Sequence, residues 1–424
     1  MTGSKDSSTA DIFEISSNSG GDSFDVRAGA PRIEYRESMI DDTIRITAAI
    51  VDTGQSGCSA SEALKLQGGE KVLFKYTDAA GNVLDFSDGN ALRLSNKSLE
   101  IRSFKSSSFI AQIVSKEFLD NKLLKNRVTK RYSGKISQTV RSILQDDLKT
   151  DKNLDISETR NTFSDFGLRN KPFDIILQLQ QIAIPTVEGK TAGFFFWQTS
   201  KGFHFKSADE IFNGTPIKTY VYNFKSEREE VPVGYDDKIL DANYIRVADV
   251  ERQLDNNAFG TVTETFNPSN LEFSKETPLL ADGAGKILAG LDLPNYGDYT
   301  GEATDFFATP ISVGNAFGTG DSPEQQLEKS KIENVNIKET LGQAIQNYRQ
   351  RLNFMIEVKI PGDFSLKAGD IIRCDLPELC SKTTLKESPL DSGIYMILEL
   401  CHYISPTQTY TGLVLVRDSF GVKA

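Results

Sequence analysis

Residues 43–52, TIRITAAIVD, alternate apolar and polar side chains with a period of two, placing Ile44, Ile46, Ala48 and Ile50 on one face of an extended chain. That pattern describes a half-buried β-strand. It recurs at RIEYRE (32–37) and at EKVLFKYTD, where Asp78 to Gly81 supply a turn before NVLDF, and LRLSNKSLEIRSF adds more extended chain. It returns at the far end in FMIEVKIP, AGDIIRCDLP, GIYMILELCHYIS and YTGLVLVRD. A chain of 424 residues with strands at both ends outgrows a single core, so two to four domains are expected.

Between these ends the period changes. Ile136, Val140, Ile143, Leu144 and Leu148 fall at amphipathic-helix spacing, with Ser133 or Ser137 placed to cap the first turn. A second helix is predicted from about Pro172 to Ala183, because Pro fits a first turn, Asp174 suits the positive end and Pro185 stops it. Glu117, Phe118 and Leu119 read as a short helix, and Leu341, Ile345, Tyr348 and Leu352 signal a late one. The basic run from Lys122 to Arg131 reads as a solvated face.

GFFFWQTSKGFHF is a hairpin with Phe194 and Phe196 on one strand and Phe203 and Phe205 on the other. Such an aromatic face serves a core more often than a sugar or a partner. KTYVYNFKSE, NYIRVADVERQ and GTVTETF are further strand candidates. Residues 1–22, rich in Ser, Gly and Asp, read as a flexible arm in which Ile12, Phe13 and Ile15 can dock locally. Residues 281–330 carry little periodicity and read as a long loop or insert. The fold class is α+β, mostly β.

Charge and chemistry narrow the function. Lys and Arg total 48 against 59 Asp and Glu, and the net charge of -11 repels phosphate, which excludes gripping a duplex but suits the wall of a conduit. Cys58, Cys374, Cys380 and Cys401 are too few for a disulfide framework and point to assembly in a reducing cytoplasm. No run reaches the roughly 18 apolar residues of a spanning helix, and the start MTGSKDSSTAD lacks a signal pattern, so no membrane insertion is expected.

His204 and His402 are the only histidines and form no HExxH pair. Cys374, Cys380, Cys401 and His402 lack knuckle spacing, and neighbours on a strand point to opposite faces. GQSGC (54–58) departs from the nucleophile elbow at its last position, and GAGK (283–286) lacks both the first Gly and the Ser or Thr of a phosphate loop. The pairs Asp41 and Asp42, Asp146 and Asp147, and Asp236 and Asp237 are adjacent in sequence, whereas a glycosidase needs carboxylates converging across a cleft. No catalytic, metal or cofactor-binding residue is therefore predicted; no cofactor is expected, and the chain is not expected to be an enzyme.

The order of four stretches resembles the baseplate hub subunit of contractile-tailed, cyanophage-like bacteriophages. They are VRAGAPRIEYRESMIDDTIRITAAIVDTG; KRYSGKISQTVRSILQDDLK with NKPFDIILQLQQIAIP; AGFFFWQTSKGFHFKS; and RLNFMIEVKIPGDFSLKAGDIIRCDLP with YMILELCHYISP and LVLVRD. The resemblance implies two tube-like antiparallel β-barrels with a helix-containing insert domain. It places a flexible arm at 1–22, a first barrel at 23–111 and the insert at 112–215. The second barrel takes 216–250 plus 338–424, with the Leu341 to Leu352 helix packed on it, and 251–337 is a loop-rich insert.

In that family a homotrimer mimics a six-fold ring, joining the hexameric tail tube to the trimeric central spike while the genome passes through. The implied partners are the spike protein, the tail tube or tube-initiator protein and other baseplate wedge proteins. The implied location is the tail baseplate of a virion assembled in the host cytoplasm, with DNA passing through the lumen without specific binding. The barrel duplication comes from the resemblance, since the two β-rich ends share no residue pattern beyond alternation. Three alternatives stand beside it. One is a tail-associated cell-wall hydrolase, one a carbohydrate-binding adhesin using the aromatic hairpin, and one a secretion-system spike, whose expected β-helical needle this chain is too short to supply.

Overall fold

The computed structural model describes residues 7–422 except 21–22, 54–63, 88, 104–105, 188–190, 223–236, 247–248, 256–260, 269–270, 277–288, 293–294, 296, 300–304, 311–320, 331–333, 353 and 379–386. The first strands are β1 (Thr9–Ser16), β2 (Ser23–Asp25), β3 (Arg32–Ser38), β4 (Arg45–Asp52), β5 (Lys71–Thr77), β6 (Val83–Phe86), β7 (Leu92–Arg102) and β8 (Ser107–Val114). A helix-containing middle follows, with α1 (Lys116–Asp120), β9 (Arg131–Lys135), α2 (Ile136–Ser142), β10 (Leu154–Ile156), β11 (Thr162–Phe166), α3 (Pro172–Ile182), β12 (Phe194–Thr199), β13 (Gly202–Ser207) and α4 (Ala208–Phe212). The remainder comprises β14 (Thr219–Tyr222), β15 (Lys238–Ile239), β16 (Asp241–Arg246), α5 (Val250–Asp255), β17 (Thr261–Asn267), β18 (Glu272–Glu276) and β19 (Asp305–Pro310). Last come α6 (Pro323–Ser330), α7 (Ile337–Arg351), β20 (Phe354–Pro361), β21 (Ile371–Asp375), β22 (Gly393–Ile404) and β23 (Thr409–Arg417).

The strands at the two ends join into one sheet, whose central run is β16-β20-β23-β22-β3-β4-β8-β7, every neighbour antiparallel. Its two halves have the same topology. In β3-β4-β8-β7 the strands lie in the order first, second, fourth, third along the chain, and so do those of β16-β20-β23-β22. The registers match too: Tyr35 faces Ile46, which faces Ile113, which faces Leu94; Tyr244 faces Ile356, which faces Leu415, which faces Ile397. In each half the third strand bulges just after that row, between Leu94 and Asn96 in β7 and between Ile397 and Glu399 in β22. A bulge at one position of the same strand in both halves is a repeated structural feature. Among the described strands the sheet does not close on itself.

Alternation explains the burial. Ile33, Tyr35, Ile46, Ala48 and Ile50 from the first half and Ile356, Val358, Leu413 and Leu415 from the second point inward and merge into one apolar cluster. The middle segment has its own core of Ile136, Val140, Phe173, Ile176, Phe194, Phe196, Phe203 and Phe205. The opposite face of its hairpin is buried as well: Phe195 and Trp197 pack with Met39, Met396, Leu398 and Val416, fastening the middle segment to the sheet.

Several elements depart from the sequence reading. Residues 9–16, expected in a flexible arm, form β1, which pairs with β5 and buries Phe13 and Ile15 completely. The apolar pair at alternate positions offsets the entropy that its polar neighbours suggested would win. Helix α2 is capped neither by Ser133 nor by its own Ser137 hydroxyl; Ser137 N–H donates to Thr159 Oγ1 at 2.9 Å, a remote cap invisible to local spacing. The segment VERQ, expected in a strand, opens α5. Residues 305–310, expected in a long loop, form β19 parallel to β17. Helix α7 lies against α3 and β17, and Tyr348 Oη reaches the Gln180 carbonyl at 3.2 Å and the Phe194 carbonyl; Tyr348 and Leu352 pack on the apolar cluster that Phe195 and Trp197 share with Met396, Leu398 and Val416.

Candidate functional site

The three parts of the molecule meet on the loop from Gly362 to Asp370. Glu37 ends the inward row Ile33, Tyr35, Glu37 on β3 and is 1% exposed. Its carboxylate accepts from Tyr35 Oη at 2.5 Å, from Ser200 N–H in the β12-β13 turn at 2.7 Å and from Ala368 N–H in the loop at 3.0 Å. One buried acid thus holds the N-terminal half, the middle segment and the C-terminal half together. Charge-assisted bonds to two backbone donors satisfy it where an unpaired carboxylate would be costly.

A second carboxylate repeats the device. Asp78, in the β5-β6 turn, accepts Phe364 N–H from the same loop at 2.9 Å while ordering its own turn through Ala80 and Asn82. Asp363 accepts from Lys218 Nζ at 2.5 Å, Tyr220 Oη at 2.8 Å and Ser365 Oγ at 2.5 Å. Burial alone pushes the Asp363 carboxyl up, but Lys218 and the hydroxyls outweigh it and hold it below the usual range. Trp197 Nε1–H donates to the Ala368 carbonyl at 2.9 Å, and its ring covers Gly369, where φ is +91° and a Cβ would meet Trp197 Cζ2 at 2.6 Å. Only glycine fits there.

A cleft of about 300 Å³ opens beside this joint, lined by Asp155, Trp197, His204, Lys206 and Asp370 among others. Asp155 accepts from His204 Nδ1 at 3.2 Å and Lys206 Nζ at 2.8 Å; these two, His204 first, hold its carboxyl down at about 2. Burial pushes Asp370 up to about 6.

The residues weighed from the sequence are dispersed. His402 is buried on the inward face, stacked on Tyr35 with ring centroids 5.6 Å apart and bonded through Nδ1 to Thr411 Oγ1 at 2.8 Å; burial lowers it to about 3. Cys374 is in the inner cluster, and burial pushes its thiol up. Cys401 lies on the other face of β22 from His402, so the two do not converge. Cys58, Cys380, the GQSGC and GAGK segments and Asp236 lie outside the described residues. Asp41 is bonded by Arg45 at 2.6 Å, Asp147 by Lys130 at 3.0 Å, and burial raises neighbouring Asp42 to about 6. Phe194 and Phe196 are core residues, so the aromatic hairpin offers no sugar-binding face, and the adhesin alternative loses its basis. Among the described residues no three His, Cys, Asp or Glu group as a metal site, and no helix is long and apolar enough to cross a membrane.

The sequence reading missed the buried acids. Parity was the available signal, because Glu37 and His402 both occupy inward positions of alternating strands, where a polar residue needs a specific partner.

The duplicated sheet with a helical middle segment defines a fold, and solved structures share it. The 43 kDa tail protein of prophage MuSo2 from Shewanella oneidensis superposes with a TM-score of 0.53 at 8% identity, covering 96% of this chain and 98% of that one. A tail protein from Neisseria meningitidis MC58 gives 0.53 at 8%, covering 97% of each chain, and prophage tail protein gp18 from Listeria monocytogenes EGD-e gives 0.50 at 9%, covering 96% of this chain and 95% of that one. The chain therefore has the fold of these phage tail proteins over nearly its whole length. No protein-family model matches it, and no curated protein matches it in sequence.

Proposed function

We propose that the chain is a structural baseplate hub subunit of a contractile phage tail, three copies of which form a pseudo-six-fold ring. The observation that carries this reading is the repeated strand order. Each copy supplies two like arcs, β3-β4-β8-β7 and β16-β20-β23-β22, so three copies supply six positions from one sequence. Each arc is the wall of a tube-like barrel: the first within 23–111 with β1 added to it, the second within 216–250 and 338–424, flanked by the inserts at 112–215 and 251–337. The six-fold face meets a tail tube or tube-initiator protein, the three-fold face a trimeric central spike, and wedge proteins surround the ring in the baseplate of a virion assembled in the host cytoplasm.

The net charge of -11 suits a lumen through which DNA passes without sticking. On the sheet face away from the core, Arg32 and Arg36 both spend their charge on Glu34, at 2.6 and 2.7 Å. In this role the buried acids lock the arcs rigidly and perform no turnover. Light scattering of the purified chain tests the ring: a mass of three chains is expected, and a monomer at high concentration, alone and with the spike, rejects it.

A second reading, a cell-wall hydrolase, is favoured by one observation. The cleft holds an acid kept ionised, Asp155, and one raised to about 6, Asp370, which is how an acid and base pair is tuned. Peptidoglycan cleared in a zymogram by the pure chain, and not by Asp370→Asn, would establish it.

A further inference from the structure

The basic run from Lys122 to Arg131 lies in the middle segment, beside a second loop. Val128 N–H donates to the Asn170 carbonyl at 3.1 Å, Arg169 N–H to the Val128 carbonyl at 2.8 Å and Gly167 N–H to the Lys130 carbonyl at 3.1 Å. Residues 121–131 and 166–173 together contain Lys122, Lys125, Arg127, Lys130, Arg131, Arg169 and Lys171, and no carboxylate. Lys130 is paired with Asp147 at 3.0 Å, and Arg131 donates to Ser164 Oγ at 2.8 Å. Among the described residues Lys125, Arg127, Arg169 and Lys171 form no ion pair, and Arg127 Nε is buried without a hydrogen-bond partner. On a chain of net charge -11, this is a local excess of unspent positive charge.

Apolar groups share the surface. Leu124 is 80% exposed and Leu168 75%. Leu168 and Arg169 have φ of +45° and +61°, so the chain turns through the left-handed region twice in succession at this tip. Leu168 also lines a cavity of about 170 Å³ between the β9·β11 pair and α3, walled by Tyr132, Phe163, Ile175, Leu179 and Ile182. An apolar cavity of roughly 150 Å³ holds a benzene ring. This one is therefore the size of a single large apolar side chain, and smaller than the sites that take whole cofactors.

We infer that the paired loops are a docking site for an acidic segment of a partner protein, which inserts one phenyl-sized side chain beside Leu168 and sets carboxylates on Arg127, Arg169 and Lys171. Guanidinium groups suit carboxylates because two parallel N–H donors match two oxygens. Asp165 also lines the cavity, so the acidic flanks run toward Arg169 and Lys171 and away from it. The cavity favours a protein over the other anionic partners: a lipid surface has no side chain to fill it, and a phosphate backbone leaves the leucines in water. The site belongs to the middle segment alone and stands apart from the ring reading.

The purified full chain tests it by fluorescence anisotropy with a labelled peptide of Asp and Glu around one central Phe. Binding is expected, at least tenfold weaker for the peptide with Ala in place of Phe, and weakened by salt. Arg169→Glu with Lys125→Glu should cost at least tenfold in affinity with an unchanged unfolding midpoint. Leu168→Asn should weaken the Phe peptide and not the Ala peptide, since Asn keeps the left-handed turn and removes the apolar wall. Equal binding of the two peptides, or no binding of either, overturns the site, as does tighter binding of phosphatidylglycerol vesicles or a single-stranded oligonucleotide through the same residues. None of these outcomes bears on the mass of the oligomer, so the ring stands or falls separately.

Discussion

The two arcs of the sheet carry the same strand order, the same bulge and the same cross-sheet row, yet their first strands live in different surroundings. Strand β3 has β22 on its outer side and buries Tyr35 completely; β16 has no described strand there, and Tyr244 is half exposed. Both strands carry a tyrosine at this matched position, so the contrast between the two rings comes from the neighbouring strand and not from side-chain chemistry. Topology in this molecule is held by inward alternation, while identity is spent on the joints.

Glu37→Ala should cut deepest into that comparison. It strands the N–H groups of Ser200 and Ala368 and the Tyr35 hydroxyl, and should cost about 3–5 kcal/mol in denaturant unfolding. The change Asn243→Ala on exposed β16 should stay within about 0.5 kcal/mol. Equal effects on β3 and β16 would break the distinction between a filled and an open joint.

Gly369→Ala comes next, at about 2–3 kcal/mol, because φ of +91° and the Trp197 ring both oppose a Cβ. The chain has one tryptophan, so its fluorescence reports this joint directly, and an unchanged spectrum and midpoint would show that the loop yields freely.

Acid should act on the filled joint through His402. Burial lowers it to about 3 from 6.5, so the unfolded chain takes up the proton first, and stability falls as pH drops below about 6.5, by at most about 1.4 kcal/mol per pH unit. His402→Gln should remove that part of the slope between pH 7 and 5. Asp370 has the opposite sign: raised from 3.8 to about 6, it contributes below pH 3.8 and loses that contribution as pH rises through 6. Asp370→Asn should therefore stabilise the protein at pH 7, by roughly 1–2 kcal/mol.

The strands flanking Ile44, Phe74 and Leu413 were legible because a period of two is a local signal. Strand β1 was not, since its two buried residues sit among Ser, Asp and Glu and gain their burial from β5, far along the chain. The repeat was invisible for the same reason. RIEYRE and DANYIR share only a tyrosine at one register position, and that register exists only once β4 and β20 are paired. The joint itself depends on Glu37 reaching Ala368, 331 residues away, which no window of sequence contains. Parity on β3 still marked Glu37 as a residue in need of a partner.

A cryo-electron-microscopy map of the intact tail bears most directly on the central claim, that one chain supplies two like arcs to a ring. The account predicts three copies around the tail axis, with β3-β4-β8-β7 and β16-β20-β23-β22 alternating as six like positions. A chain lying off the axis, or an axial ring in which the two arcs occupy unlike positions, would contradict it.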